Sequence, residues 1–211
     1  MKKQIMVILS SLLVFLLIVF IHKTSSIEAF DIEVLRAVFE LRQPWLTPIM
    51  IFFTEVGSWY VTAPMWFGLL IFLLYKREAG AALFITLVYF GSRSLNWLLK
   101  EVFERPRPQL SQLIEAGHYS FPSGHAMNSM AFYGALILLI RMYINEQNYV
   151  KGVVITLLVW LISLIGFSRM YLGVHYLTDI LAGFAMGTAW LFVVFLFYQR
   201  TASEKKKVER G

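Results

Sequence analysis

The feature that most limits the fold of this chain is a series of continuous apolar runs, near Ile5–Ile21, Ile49–Tyr75, Ala79–Leu99, Ala126–Ile144, Gly152–Phe167 and Leu177–Tyr198. An apolar run of roughly 17 to 25 residues crosses about 30 Å of hydrocarbon as a helix, because a helix satisfies its own backbone polar groups there. The runs do not alternate apolar and polar residues, so a transmembrane barrel is excluded. With 58% hydrophobic and 15% charged residues, the composition lies outside the range of soluble domains. The expectation is an all-α, polytopic membrane protein with six transmembrane helices in a single integral-membrane domain, residues 1–211.

Six spans put both termini on one side. With the N-terminus cytoplasmic, the inner segments carry eleven Lys and Arg and the outer segments seven, while Arg93 falls within the third span. Setting aside Lys100, Arg107 and Arg169 leaves four outer cations, so these three are read as kept against topological preference, for a purpose. The basic tail EKKKVER reads as an anchor beside anionic lipid, and the net charge of +6 calls for no nucleic-acid partner. Lys2 and Lys3 before an apolar core resemble a signal peptide. The core of about 17 residues is longer than the usual ~7–15 and lacks a small-residue cleavage site, so the first span is expected to be retained. The chain has no cysteine, hence no structural disulfide and no cysteine ligand. Between the first two spans, Ile32, Leu35, Val38, Phe39 and Trp45 recur at helical spacing; they suggest a helix lying flat on the outer surface, or a plain linker helix.

Polar chemistry gathers in three clusters on the outer side. The first is Lys100 with Arg107-Pro108, where a mobile ammonium and a planar fork of donors both suit phosphate, although snorkelling at a helix end is the bland alternative. Arg93 lies two turns deeper on the same helix face, with Asn96 between, and either pairs within the bundle or extends a basic funnel. Arg105 suggests no role. The second cluster is Phe121-Pro122-Ser123-Gly124-His125 before the fourth span. Free backbone N–H groups and the dipole of a helix start make an anion cradle, or simply a cap, and His125 adds a titratable group beside it.

The third cluster is Ser168-Arg169 with His175 and Asp179. Four residues apart on a helix, His175 and Asp179 share a face, so the carboxylate can orient the imidazole as a nucleophile or base; a lone histidine on an apolar helix is more often structural. No metal and no cofactor is expected. Four histidines and no cysteine are too few ligands beside three cations, and no GxxxxGK[ST] loop is present.

In order and spacing, K-x6-RP (Lys100, Arg107, Pro108), PSGH (Pro122 to His125) and SR-x5-H-x3-D (Ser168, Arg169, His175, Asp179) resemble the signature of the type 2 phosphatidic acid phosphatase superfamily. That family includes lipid phosphate phosphatases, bacterial acid phosphatases, glucose-6-phosphatase and vanadium haloperoxidases. The resemblance implies that His175 attacks phosphorus to form a phosphohistidine, that Asp179 orients it, and that His125 protonates the leaving oxygen and later activates water. It also implies that Lys100, Arg107, Arg169, Ser123 and the Gly124 amide hold the phosphoryl oxygens. Positioning and charge on the equatorial oxygens are what phosphoryl transfer asks of a protein.

A site at the edge of a helical bundle favours an amphiphile whose tail stays in the bilayer. The short chain is similar to small bacterial phosphatidylglycerophosphate phosphatases of the plasma membrane, with undecaprenyl pyrophosphate phosphatases close behind. Glu55, near the outer end of the second span, is a candidate for headgroup discrimination or for neutralising a nearby cation. A phospholipid transporter or flippase is the rival from another class, and a haloperoxidase the weaker one.

Overall fold

The computed structural model describes residues 1–117, 119–144 and 149–208, with side chains through Thr201. Eight helices and no strand occur among them: α1 (Lys2–Ile21), α2 (Ser25–Glu40), α3 (Leu46–Val56), α4 (Trp59–Tyr75), α5 (Ala79–Phe103), α6 (Gly124–Tyr143), α7 (Tyr149–Tyr171) and α8 (Leu177–Val208). Five of them are long and apolar enough to cross a membrane: α1, α5, α6, α7 and α8 as far as Thr201. A sixth crossing requires α3 and α4 together, and these are bent by 43°.

The bend corrects the straight span expected over Ile49–Tyr75. Gly57 ends α3, its amide donating to the carbonyls of Phe53 and Thr54, and Ser58 opens α4 from an extended conformation. A Cβ on Gly57 would lie 2.5 Å from Ile165 Cγ2 and 3.1 Å from Ser129 Oγ, so the bend lets the backbone pass directly against α6 and α7. Its effect is to turn Thr54 and Glu55 away from a lipid-facing path and toward the end of the bundle where α6 begins.

Gln4 Nε2 donates to Gln199 Oε1 at 2.6 Å, so α1 begins at the same end of the bundle at which α8 runs out. The opposite end gathers the C-terminus of α5, the N-terminus of α6, the C-terminus of α7 and the N-terminus of α8. α2 docks there. Leu35 and Val38 are buried with Tyr171 and Leu172, as the apolar spacing implied, but Trp45 is exposed and is not part of that face.

The main core lies between α5, α6 and α8, where Phe84, Val88, Phe132, Tyr133, Leu191 and Phe195 interlock. Two glycines set how closely α8 meets α6. A Cβ on Gly183 would lie 2.7 Å from the Ser123 carbonyl oxygen, and one on Gly187 only 2.5 Å from that of Met127. Small residues one turn apart allow such contact, and dispersion across it replaces a hydrophobic drive that lipid does not supply. α1 packs on the far side of α8, inserting Phe15 and Ile18 among Phe121, Met127, Ala182 and Ala185.

Because the opposing atom is backbone, which cannot rotate away, Gly187→Ala should destabilise the fold by about 2 kcal/mol. Gly68, with nothing within 4 Å of its Cβ position, provides the contrast. Gly68→Ala should be neutral or stabilising by up to ~1 kcal/mol. Thermal unfolding in detergent measures both; equal effects would mean that the α6–α8 crossing does not depend on its glycines.

Candidate active site

The three sequence clusters meet around one cavity of about 410 Å³, lined by Lys100, Arg107, Gly124, His125, Arg169 and His175 among others. Each arrives by a different route. Lys100 is in the last turn of α5, and its Nζ donates to the Tyr119 carbonyl. Arg107 follows in the loop, its NH2 donating to the Gly117 carbonyl at 2.9 Å and its NH1 to that of Val174 at 2.7 Å. Arg169 was expected beyond a span ending at Phe167. α7 instead continues to Tyr171, and Arg169 sits buried in its last turn, donating to Thr54 Oγ1 on α3.

Ser123 is the N-cap of α6, with the Ala126 amide 3.5 Å from its hydroxyl oxygen, so the cap reading of PSGH holds. The Ser123 hydroxyl is fully buried, whereas Gly124 and His125 of the first turn face the cavity. The His125 side chain makes no hydrogen bond to another described residue, and it lines the cavity.

His175 differs from expectation in one respect. α8 begins at Leu177, so His175 precedes the helix instead of sharing a helical face with Asp179. The two still meet, Nδ1 to Asp179 Oδ2 at 3.4 Å, because Asp179 in the first turn reaches back to the start of its own helix. Its Oδ2 also accepts from the Tyr176 amide at 2.9 Å, as an N-terminal capping acid does. Nε2 of His175 lies 3.2 Å from Arg107 NH1. A guanidinium only donates, so Nε2 carries the lone pair and Nδ1 the proton. Burial, and then the Arg107 guanidinium, hold the His175 imidazole well below its ordinary 6.5, so it is neutral at neutral pH.

Two residues to which the sequence reading assigned no role support this pair. Arg105, to which no role was given, is buried and donates to Asp179 Oδ1 at 2.7 Å, to Thr178 Oγ1 at 2.7 Å and to Asp31 Oδ2 at 2.9 Å. Its guanidinium lies 4.2 Å from the ring centroid of Tyr176. Asp31, on α2, is fully buried and accepts in addition from the Thr178 amide at 3.1 Å. A signal existed: Asp31 falls one turn before Leu35 and two before Val38, an acid on the buried face of an amphipathic helix. Both oxygens of Asp179 are thus engaged, and the carboxylate beside His175 is fixed from two elements at once.

Arg93, Asn96 and Lys100 all border the cavity, as their common helix face implied, and so does Glu55. Glu55 forms no ion pair among the described residues. The arrangement joins a neutral, oriented imidazole, a second imidazole free of protein partners, three cations and a helix N-terminus around a space large enough for a phosphoryl group. Such a site can transfer a phosphoryl group by positioning and charge.

Comparison with known proteins agrees with this geometry. Residues 77–203 match the PAP2 superfamily. The chain is 31% identical over 198 residues to phosphatidylglycerophosphatase B of Bacillus subtilis, covering 94% of this chain and 98% of that one. It is 29% identical to an undecaprenyl-diphosphatase of Sulfolobus acidocaldarius, covering 84% and 82%. The crystal structure of the transmembrane PAP2-type phosphatidylglycerolphosphate phosphatase from Bacillus subtilis superposes with a TM-score of 0.86 at 31% identity, over 92% of this chain and 96% of that one. On sequence, fold and site together, the chain belongs to the PAP2 superfamily and is a membrane lipid phosphatase.

Proposed function

We propose that this enzyme hydrolyses the terminal phosphomonoester of phosphatidylglycerophosphate, and to a lesser degree phosphatidic acid, through a phosphohistidine and without a metal. The observation that carries the reading is His175 Nε2, 3.2 Å from Arg107 NH1 in a cavity that Lys100, Arg169 and His125 also line. The likeness to the Bacillus phosphatase over nearly the whole of both chains supports the choice of lipid. Undecaprenyl pyrophosphate is the second reading, supported by the archaeal relative.

The incoming phosphoryl group replaces Nε2 as the acceptor for Arg107, and Lys100, Arg169 and the Gly124 amide share its oxygens. Nε2 forms a bond to phosphorus as the bond from phosphorus to the leaving alkoxide breaks, and His125 gives that oxygen its proton. Asp179, held by Arg105 and Asp31, keeps the proton of His175 on Nδ1 and stabilises the ring's positive charge. His125 then takes a proton from water, whose oxygen attacks phosphorus, and the Nε2–phosphorus bond breaks to release inorganic phosphate. The whole chain acts as one membrane domain, with its termini in the cytoplasm and the cavity opening at the outer face of the plasma membrane. The moderate excess of Lys and Arg on the inner segments supports that orientation.

Phosphate release by the purified chain from phosphatidylglycerophosphate, phosphatidic acid and undecaprenyl pyrophosphate, with chelator present throughout, tests this reading. His175→Ala should abolish release from all three while lipid still binds; a requirement for added magnesium would contradict the metal-free mechanism. A leaving phosphate needs a proton less than a leaving alkoxide does. His125→Ala should therefore reduce turnover of the monoesters more than of the pyrophosphate, and equal losses would remove His125 from the acid's role. The pH profile gives a third check. A nucleophile whose pKa is lowered stays active as pH falls through 6.5, and the acid limb of kcat/KM should lie well below that value. Arg107→Gln removes one of the causes, so what activity remains should show an acid limb moved upward. An unmoved limb would mean that it does not report His175.

A further inference from the structure

Arg93 is a cation that the reaction above does not use. It lies within a membrane-spanning helix and borders the same cavity as both histidines. No carboxylate stands within ion-pair distance of it among the described residues. Its NH2 donates to Thr62 Oγ1 at 2.7 Å, and its guanidinium lies 4.4 Å from the ring centroid of Tyr89. Nε is buried without a hydrogen-bond partner in the described protein. An uncompensated guanidinium at membrane depth is costly. Held by a neutral hydroxyl and an aromatic face, it is steadied but not neutralised. It therefore keeps the capacity to pair with an anion that arrives from outside the protein.

A second hollow says where that anion belongs along the substrate. Beside the polar cavity is one of about 320 Å³ lined by Trp59, Ala63, Trp66, Tyr89, Phe90 and Arg93. Trp59 and Arg93 border both spaces. The first suits a phosphoryl group and the second, nearly all aromatic, suits hydrocarbon. Arg93 stands at their seam.

We propose that Arg93, steadied by Thr62 and Tyr89, binds a second anionic group lying between the reacting phosphate and the tail, so that the enzyme prefers lipids carrying two phosphates in series. This rests on the reading of the cavity as a lipid phosphatase site. Phosphatidylglycerophosphate has that order, phosphomonoester then phosphodiester then acyl chains, and a polyprenyl pyrophosphate has it with the phosphates adjacent. Phosphatidic acid carries a single phosphate and offers Arg93 nothing charged.

The test is kcat/KM of the full chain in detergent for these three lipids, compared with that of Arg93→Gln. Loss of a charge-assisted contact should lower the value about tenfold or more for a two-phosphate lipid and leave phosphatidic acid within about twofold. Whether the loss falls on phosphatidylglycerophosphate, on the pyrophosphate or on both identifies the source of the second anion. Arg93→Lys should recover part of the preference. Inhibition by inorganic phosphate should not change, which separates a missing subsite from a damaged fold. Equal loss on all three lipids, no loss on either two-phosphate lipid, or weakened inhibition by phosphate would overturn the proposal while leaving the phosphatase reading intact. A wild-type chain that releases phosphate from none of them would overturn both.

Discussion

The crossing of α6 against α8 fixes the distance on which the rest of the site depends. α6 opens with the anion cradle and His125, while α8 carries Asp179 and is preceded by His175. The Ser123 amide donates to the Asp179 carbonyl at 2.9 Å, and Gly183 and Gly187 bring the two backbones together below that bond. The helix start that carries His125 is therefore tied directly to the first turn of α8, just after the short segment that carries His175. Misplacement by about 1 Å is enough to lose on the order of 10²-fold in rate, so this is where rigidity matters most.

Charge is sorted into two compartments. Asp31, Arg105 and Asp179 form a buried, mutually satisfied group behind His175, with Thr178 and Tyr176 completing its hydrogen bonds. Lys100, Arg107, Arg169 and Arg93 instead border an open cavity, and Lys100, Arg169 and Arg93 form no ion pair with a carboxylate among the described residues. The first compartment holds a geometry. In the second, the cations donate to neutral acceptors: the carbonyls of Tyr119, Gly117 and Val174 and the hydroxyls of Thr54 and Thr62. A carbonyl orients a cation without cancelling it.

Much of this was legible in the sequence, for physical reasons. Hydrophobic runs report burial in lipid directly, so the all-helical membrane fold and the approximate positions of α1, α5, α6, α7 and α8 follow from composition alone. Lys100, Arg107, His125, Arg169, His175 and Asp179 were readable because their chemistry and spacing are unusual beside apolar helices. The break between α3 and α4 was not, since Gly57 and Ser58 sit inside a run long enough to read as one span and the bend answers to contacts with Ile165 and Ser129, distant in sequence. The start of α8 at Leu177 follows from where its apolar run begins, but the position of His175 outside that helix does not, because helical spacing alone does not separate a residue inside the first turn from one just before it. Arg105 lies between Glu104 and Pro106, two positions before Arg107, a residue of clearer purpose. Its partner Asp31 is 74 positions away, and no local pattern encodes a contact of that separation.

The placement of α1 has a consequence for how such a chain is made. α1 is made before α8, yet α8 is its packing partner, and its Phe15 and Ile18 complete the wall behind Phe121 only when Ala182 and Ala185 are present. Membrane insertion proceeds in chain order, so α1 must wait in the bilayer, largely lipid-exposed, until α8 is released. Contacts of such sequence separation form late. A nascent chain halted before α8 would carry Lys100, Arg107 and Arg169 but neither the closing helix nor Asp179. The cavity that the two histidines line, and the wall behind it, are completed only once α8 is in place.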